Sequence, residues 1–389
     1  CVARINKRVW TKKLFLFLKM KSQFKSPQHC HGSILASLAP TLSPPKLMVK
    51  SNRIARPGYA TVSSSEYLDN ENTLMKKVRI VADLMRAAQR PCLYTGAGMS
   101  TASGIGDYAS EAAGEKSMVH RQRRVLPYSA QPTLSHRIFA QIGLSDDFQH
   151  LEWIQQNHDG LPQKAGYPQE RLCEIHGAWY DPSNPVVAMS GSLRGDLFSR
   201  FEQSEVEADL VLALGTSLSG MNVDRMVTTP WSRGADTVIV ALQRTQLDDQ
   251  CSVRIFAKLD DFSKLLCEEL GQTVPTEQVR KTYTFDGENE EEIYTVPYDN
   301  DTGMKLDDGT LSSSLHLYDG AQVKLTVGVH QGDVGEVVGR DAQGHYIIIF
   351  QHRLKKTSKL TRPFERRMGA WWVNHALQGE ISQLPIVNV

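Results

Sequence analysis

The chain has 389 residues, of which 41% are hydrophobic and 22% charged, an ordinary composition for a soluble globular protein. The net charge of +1 conceals an asymmetry: residues 1–65 carry twelve Lys or Arg and no acid, which leaves 32 basic and 43 acidic groups, a net of −11, for residues 66–389. No apolar stretch reaches the roughly 20 residues that a membrane-spanning helix needs, so no membrane partner is expected.

Residues 1–65 have the basic, Ser-containing, acid-free composition of a disordered tail or a targeting segment. One interpretation is an organellar transit peptide with a mature start near 61–65, which predicts a mitochondrial or plastid protein. The other is that the chain, which opens with Cys1, is a truncated precursor or includes untranslated sequence, with Met20 or Met48 as the true start. That interpretation predicts a cytoplasmic or nuclear protein, and the sequence leaves both open.

Residues 66–272 alternate helical and strand patterns. Apolar residues recur on one helical face over Leu74–Gln89, and Phe262–Leu270 gives a second helix that ends at Gly271. The buried-strand candidates are Cys92–Thr95, Ala208–Leu214 and Thr237–Leu242. Strands that alternate with helices predict an α/β domain with a parallel sheet covered on both faces. Ligands of such sheets bind at the carboxyl ends of the strands.

The amino-acid composition changes after Gly271. Residues 273–314 are acidic and polar and predict a solvated linker, whereas residues 315–389 contain β-rich runs separated by Gly turns. This last part weakly resembles small β-barrels of the SH3 or KOW type. Basic residues over His352–Lys359, with two tryptophans nearby, give either a surface for nucleic acid or an acidic partner, or a solvated loop above buried tryptophans.

The six cysteines are scattered, with no Cys-x-x-Cys pair among them. That spacing argues against a zinc ribbon and against a disulfide-stapled secreted domain. Neither a metal site nor a disulfide is therefore predicted.

The strand at Cys92–Thr95 runs into the glycine loop Gly96-Ala97-Gly98. Glycines after a strand let the backbone approach a pyrophosphate, and a following helix N-terminus offers its free N–H groups to the anion. A glycine loop alone is weak evidence, since a simple strand-to-helix turn has the same pattern.

The specificity comes from the motifs that follow in order, which are Gln156–Leu161, Lys164–Gly166, Glu174–Gly177, Ala208–Leu218 and Leu242–Asp248. Together with the glycine loop, this series resembles the sirtuin family over about 200 residues. The resemblance implies a Rossmann-like domain that binds NAD and cleaves its nicotinamide–ribose bond, with an acyl-lysine oxygen as the attacking group.

The resemblance also implies residue roles. His176 would be the general base that takes a proton from the ribose hydroxyls, a role that suits imidazole near neutral pH. Asn157 and Asp159 would position the nicotinamide ribose. The remaining cofactor-binding candidates are Gly96, Ala97, Gly98, Ser100, Asp107, Tyr108, Gln156, Gly215, Thr216, Ser217 and Gln243. Residues 118–128 fall where the family has its mobile cofactor loop.

The chain departs from the family pattern at several positions. Ala178–Ser190 contains no cysteine where the family supplies two Cys-x-x-Cys pairs for zinc, and no four-ligand set replaces them. In the glycine-loop motif Ala109 replaces an arginine, and Gly106 and Tyr108 replace Pro and Phe. His158 replaces an apolar residue of the nicotinamide pocket, and Ala241 an asparagine that contacts the adenosine ribose.

Three functions fit these residues. The first is an NAD-dependent protein-lysine deacylase of zinc-free type, with NAD as cofactor and the acylated lysine of a protein as substrate. The second is an NAD glycohydrolase or ADP-ribosyltransferase, which needs no acyl peptide. The third is a non-catalytic NAD or ADP-ribose sensing module, suggested by Ala109, His158 and Ala241.

Overall fold

The computed structural model describes residues 30–36, 41–54, 62–107, 117–119, 125–188, 191–276, 282–285, 287–307, 312–353 and 361–389. The helices longer than one 3-10 turn are α1 Glu71–Ala87, α2 Leu134–Leu144, α3 Leu161–Lys164, α4 Gly195–Glu207, α5 Arg225–Arg233, α6 Leu259–Glu269 and α7 Trp371–Leu377. The strands are β1 Lys46–Val49, β2 Glu66–Leu68, β3 Pro91–Thr95, β4 Glu152–Gln155, β5 Leu172–Glu174, β6 Leu210–Leu214, β7 Asp236–Val240, β8 Val253–Ile255, β9 Ile293–Val296, β10 Ser313–His316, β11 Gln322–Leu325, β12 Val334–Arg340, β13 Tyr346–Arg353, β14 Thr361–Met368 and β15 Ile386–Asn388. Within this part of the chain, no helix has the length and apolar character to cross a membrane.

Six strands form one parallel sheet in the order β5, β4, β3, β6, β7, β8. From β3 the chain proceeds outward through β4 to β5, and from β6 it proceeds in the opposite direction through β7 to β8. The strand order therefore reverses between β3 and β6, which is where open parallel sheets bind their ligands. The predicted Rossmann-like α/β fold is confirmed.

Side chains of the strands alternate between two apolar layers. Leu93 of β3 joins the layer that α1, α2 and α6 cover, whereas Cys92 and Tyr94 join the layer under α4 and α5. Both faces of the sheet are thus buried, which explains why the central strands appear in the sequence as short continuous apolar runs.

The C-terminal region is an antiparallel sheet in the order β14, β13, β12, β11, β15. In the described strands no pairing joins β14 to β15, and closure into a barrel stays a prediction. The predicted solvated linker differs from the structure, because β9 and β10 pair within it and Tyr294 and Val296 are buried in the second core. The alternating apolar residues at 294, 296 and 298 favour a strand with one buried face, although their neighbours are acidic.

Part of the predicted N-terminal tail is also folded. β1 pairs with β2, and Leu35 and Leu42 are buried in the core that α1 and α6 cover. A basic composition does not prevent short apolar segments from packing once a sheet edge and a helix face are available. The targeting prediction rests in part on residues 1–29, which lie outside the described residues.

Four aromatic side chains join the C-terminal sheet to the parallel-sheet domain. Tyr180 is buried with its ring centroid 5.3 Å from that of Trp371 and 4.6 Å from that of His345. The indole of Trp371 donates to Gln169 Oε1 over 3.0 Å, and that of Trp372 donates to the Tyr180 carbonyl over 3.1 Å. We call this cluster the joint, defined by Gln169, Tyr180, His345, Trp371 and Trp372.

The stability of the fold should decrease in mild acid because of buried histidines. Burial lowers the pKa of His31 and His136 to about 4 and that of His345 to about 3. Unfolding therefore takes up protons as the pH falls below about 6.5, so stability is fully present above that pH and is lost below it. The free energy of unfolding, measured in urea, should therefore be lower at pH 5 than at pH 7. We expect this decrease to be about 2 kcal/mol smaller for His345→Gln than for the wild type.

The exposed His150 provides the control for this experiment. His150→Gln should leave the pH dependence of unfolding unchanged. An equal pH dependence in the wild type and in His345→Gln would show that the buried imidazole at the joint does not contribute.

Candidate active site

The motif residues meet at the carboxyl edge of the parallel sheet. The loop Gly96–Gly98 follows β3, Asn157 follows β4, His176 follows β5 and Gly215 follows β6. Together with the residues after β7 they line one cleft of about 840 Å³. The reversal of strand order between β3 and β6 splays the loops on either side and so opens this cleft.

The two glycine loops contact each other through their backbones. The amide of Gly98 donates to the Gly215 carbonyl over 2.8 Å, and a Cβ built on Gly96 would lie 2.8 Å from Cβ of Thr216. Gly215 has φ +60° and its own Cβ would lie 2.7 Å from backbone atoms of Gly98 and Met99. The packing of the loop after β3 against the loop after β6 therefore requires glycine at these positions, independently of any ligand.

The predicted helix N-terminus after this loop is wrong. Residues 97–103 form two single 3-10 turns, Ala97–Met99 and Thr101–Ser103, and the second ends at Gly104 with φ +83°. The side chains of Thr101 and Ser103 donate to the backbone carbonyls of Gly98 and Gln131, which competes with a continuous helix. Anion binding by a helix terminus is therefore not available here.

A matched pair of glycine substitutions tests the loop contact. Gly215→Ala should lower the free energy of unfolding by about 2–4 kcal/mol and weaken NAD binding, because its Cβ meets the Gly98 backbone. Gly220→Ala, with φ +90° and nothing within 4 Å of its Cβ, has the backbone strain without the clash and should cost about 1 kcal/mol. Urea unfolding and calorimetric NAD titration measure both quantities, and equal losses in the two variants would contradict the loop contact.

Below the glycine loop a hydrogen-bond network holds Asn157 and Asp159. The Asn157 amide donates over 3.0 Å to both the Gly96 carbonyl and Ser100 Oγ. Because its N–H groups are engaged, the group that Asn157 can offer a ligand is its carbonyl oxygen, an acceptor for a hydroxyl.

The carboxylate of Asp159 is 2% exposed and accepts hydrogen bonds from Ser100 Oγ over 2.6 Å and from the Leu161 amide over 3.1 Å. Gln155 Nε2 donates to the same carboxylate over 3.3 Å. These three hydrogen bonds fix Ser100 and the turn below Asn157. The ribose-positioning role of Asp159 stays a prediction.

His176 lines the cleft at the end of β5, where its carbonyl accepts from the Val187 amide over 2.9 Å. The residue after it, Gly177, has φ +99°, and a Cβ there would lie 2.5 Å from the Pro185 carbonyl oxygen. His158 Nδ1 is 2.9 Å from the Gly177 carbonyl, so this departure from the family pattern ties the β4 loop to the turn after His176.

The other predicted cofactor residues divide into three groups. Gln156 donates to Thr216 Oγ1 over 2.9 Å, which joins the β4 and β6 loops, while Ser217 is exposed. Asp107 and Gln243 line the cleft further along. Tyr108 and the basic cluster at 120–124 lie outside the described residues.

Sequence reasoning missed two charged residues at this edge. Glu66 is fully buried and accepts hydrogen bonds from Ser117 Oγ, the Met118 amide and Gln243 Nε2, so it fixes the segment that enters the cleft wall at Val119. Arg244 lines the cleft with its guanidinium 5.4 Å from the ring centroid of Tyr67. A single Glu at a domain boundary has no sequence signature, and Arg244 lies inside the motif Leu242–Asp248 without being distinguished there as a cleft residue.

Comparison with known proteins identifies proteins that this chain resembles. No protein-family model matches the chain. The chain is 30% identical to the NAD-dependent protein deacetylase sirtuin-7 of Rattus norvegicus over 258 residues, 54% of this chain and 63% of that protein. It is 26% identical to the NAD-dependent protein deacetylase SRT1 of Arabidopsis thaliana, over 55% of this chain and 53% of that protein. Over this region the predicted resemblance to the sirtuin family is confirmed.

The matched region spans less than two thirds of either relative. Among solved structures, one from a study of the structural basis of sirtuin substrate affinity is 23% identical and covers 50% of this chain and 99% of that chain, with a TM-score of 0.42. Another, of Sir2 with a p53 peptide and NAD+, is 22% identical and covers 49% of this chain and 98% of that chain, with a TM-score of 0.41.

This chain has a hydrogen-bonded turn where the family pattern has two Cys-x-x-Cys pairs. The Ala178 amide donates to the Asn184 carbonyl over 2.8 Å, and the Asn184 side chain donates to the Glu174 carbonyl over 2.9 Å. Asp181 and Ser183 are bound by Arg194, whose Nη1 lies 3.1 Å from Asp181 Oδ2. Outside the turn, Gly328 of the C-terminal sheet contacts the Ser183 carbonyl. The C-terminal sheet thus supports the segment that follows His176.

Proposed function

We propose that the protein is an NAD-dependent protein-lysine deacylase. The observation that supports this best is the meeting of Asn157, His176 and the two glycine loops in one cleft at the switch point of the sheet. The names of its relatives support the same activity. The rest of the proposal concerns what each group does in the cleft.

The residues of the cleft fit a dinucleotide. Its volume of about 840 Å³ lies in the usual range of ligand pockets, roughly 300–1,000 Å³. The side chains of Ser100, Gln156 and Thr216 and the backbones of the two glycine loops provide hydrogen-bonding groups along its floor. Arg244 adds a guanidinium, the side chain best suited to phosphate or to an aromatic base.

NAD would supply the nicotinamide–ribose bond that breaks and the ADP-ribosyl group that receives the acyl group. The carbonyl oxygen of Asn157 would accept a hydrogen bond from a ribose hydroxyl, with the side chain held by Gly96 and Ser100. The imidazole of His176 would take a proton from a ribose hydroxyl, because a histidine changes charge near neutral pH.

The acyl-lysine substrate would enter beside His176. Apolar side chains line this part of the cleft, namely Trp179, Val187, Leu193 and Met221. Such a lining favours an uncharged acyl chain and excludes water from the reacting groups. The nature of the acyl group is the part of the proposal that only experiment supplies.

The test is nicotinamide release by the full chain with NAD, with and without acylated lysine peptides. We expect release to depend on the peptide, with stoichiometric formation of deacylated peptide and O-acyl-ADP-ribose, detected by mass spectrometry. The unacylated peptide is the matched control and should give no release.

Two other outcomes would identify the alternative functions. Release of nicotinamide without any acyl peptide indicates a glycohydrolase or an ADP-ribosyltransferase. Tight NAD binding without release, across acetyl and longer acyl peptides, indicates a sensing module and contradicts the proposal.

A further inference from the structure

Two histidines and one aspartate meet on the C-terminal sheet, away from the cleft residues. His330 and Asp333 lie in the turn between β11 and β12, and His352 lies on β13. His330 Nδ1 is 3.4 Å from Asp333 Oδ2, and His352 Nδ1 is 2.5 Å from the same oxygen. Within the described residues, these three side chains each offer one possible metal-ligand atom, and the three atoms lie within 4.8 Å of one another.

A second observation at His352 points to a ligand. This side chain is 4% exposed, and its Nε2 has no hydrogen-bond partner in the described part of the chain. Because Asp333 already holds Nδ1 of this ring, Nε2 is the ring nitrogen left without a partner in that part of the chain. The rings of His330 and His352 stack with their centroids 3.8 Å apart, and the Nδ1 atoms of both lie beside the same carboxylate oxygen.

We propose that His330, Asp333 and His352 bind one divalent transition-metal ion, with Zn²⁺ as the preferred occupant. Two ligands of one tetrahedral zinc ion lie about 3.3 Å apart, given metal–ligand bonds of about 2.0–2.2 Å. The distance from His330 Nδ1 to Asp333 Oδ2 is close to this value, whereas the ring of His352 would have to turn from its hydrogen bond with Asp333 to admit the ion. The fourth position is left to water.

The donor set selects the class of metal. Two imidazole nitrogens with one carboxylate suit Zn²⁺, Ni²⁺ or Cu²⁺, whereas Mg²⁺ and Ca²⁺ prefer sets made only of oxygen. Arg366 lies near enough for its charge to act on His330, and Arg362 pairs with His352 across β13 and β14. These cations weaken the binding of any ion, so we expect a site that exchanges its metal rather than a permanent one.

The position of the site suggests its effect. Gly328 precedes His330 by two residues, and a Cβ on Gly328 would lie 2.2 Å from the Ser183 carbonyl oxygen. The metal would hold the turn that contacts the segment after His176. The sequence alone predicts no metal, since a His-x-x-Asp pair and a distant histidine are brought together only by the pairing of β12 with β13.

The experiment titrates the chelator-treated full chain with Co²⁺ at pH 7.5, using visible absorption and calorimetry, and repeats the calorimetry with Zn²⁺. We expect one equivalent per chain in the wild type and at least a tenfold loss of affinity in Asp333→Asn, which preserves the shape of the side chain. The matched control is His375→Gln, which removes a histidine–glutamate pair from the same region and should bind as the wild type does.

The melting temperature provides a second measurement that does not depend on enzyme activity. Added Zn²⁺ should raise it in the wild type and in His375→Gln but not in Asp333→Asn. Absence of binding in the wild type, or equal affinity in the wild type and Asp333→Asn, would overturn the proposal. If His352→Gln does not fold, the comparison with Asp333→Asn still decides.

Discussion

His176→Ala is expected to reduce peptide-dependent nicotinamide release by about 10²–10⁴-fold, the usual contribution of a general acid–base group. The imidazole lies at the end of β5 in the cleft, and in the described residues the other cleft histidine, His158, is bound to the Gly177 carbonyl. Binding of NAD should change little, because the glycine loops and Asn157 are on other strands. Steady-state kinetics and calorimetry of NAD binding separate the two effects.

The control for this prediction is His150→Ala, which removes an exposed histidine that does not line the cleft. It should leave both rate and NAD affinity unchanged. The pH dependence of the rate is a further readout: the basic limb of the wild-type profile should persist while the acidic limb assigned to His176 disappears. A variant that retains full peptide-dependent release would show that another group takes the proton.

The sequence predicted the part of the fold that depends on local pattern. Buried parallel strands appear as short apolar runs, so β3, β6 and β7 were visible from their residues alone. Because the carboxyl ends of parallel strands share one edge, their glycine turns were predicted to line a common site, as the cleft shows. The catalytic roles assigned to these residues stay predictions.

The rest of the structure depends on contacts between distant parts of the chain. β4 and β5 are only four and three residues long and include polar residues, so periodicity does not detect them. The hydrogen bond from Ser100 to Asp159, the pairing of β1 with β2 and the approach of His352 to Asp333 all join segments that no local pattern relates. The joint is the largest such feature, since nothing in the sequence places Trp371 beside Tyr180.

Trp371→Ala is expected to lower the free energy of unfolding by about 3–5 kcal/mol, the usual cost of deleting a buried aromatic side chain. Trp371 is 8% exposed and contacts Tyr180, His345 and Tyr283 by its ring and Gln169 by its N–H group. Its removal opens a cavity between the two sheets. Urea unfolding should also change from one transition to two, since the joint couples the two cores.

The same substitution should lower the catalytic rate, because Tyr180 is four residues after His176 and residues 178–190 contain no cysteine to bind a zinc ion that would hold the turn. A pair of glycine variants isolates this effect from the stability of the sheet itself. Gly328→Ala directs a Cβ to 2.2 Å from the Ser183 carbonyl oxygen, whereas Gly320→Ala, with the same sign of φ, meets nothing within 4 Å. We expect Gly328→Ala to reduce kcat and Gly320→Ala to leave it unchanged. If both variants keep the wild-type kcat, the C-terminal sheet does not support the catalytic segment, and the turn at 178–188 is rigid by its own hydrogen bonds.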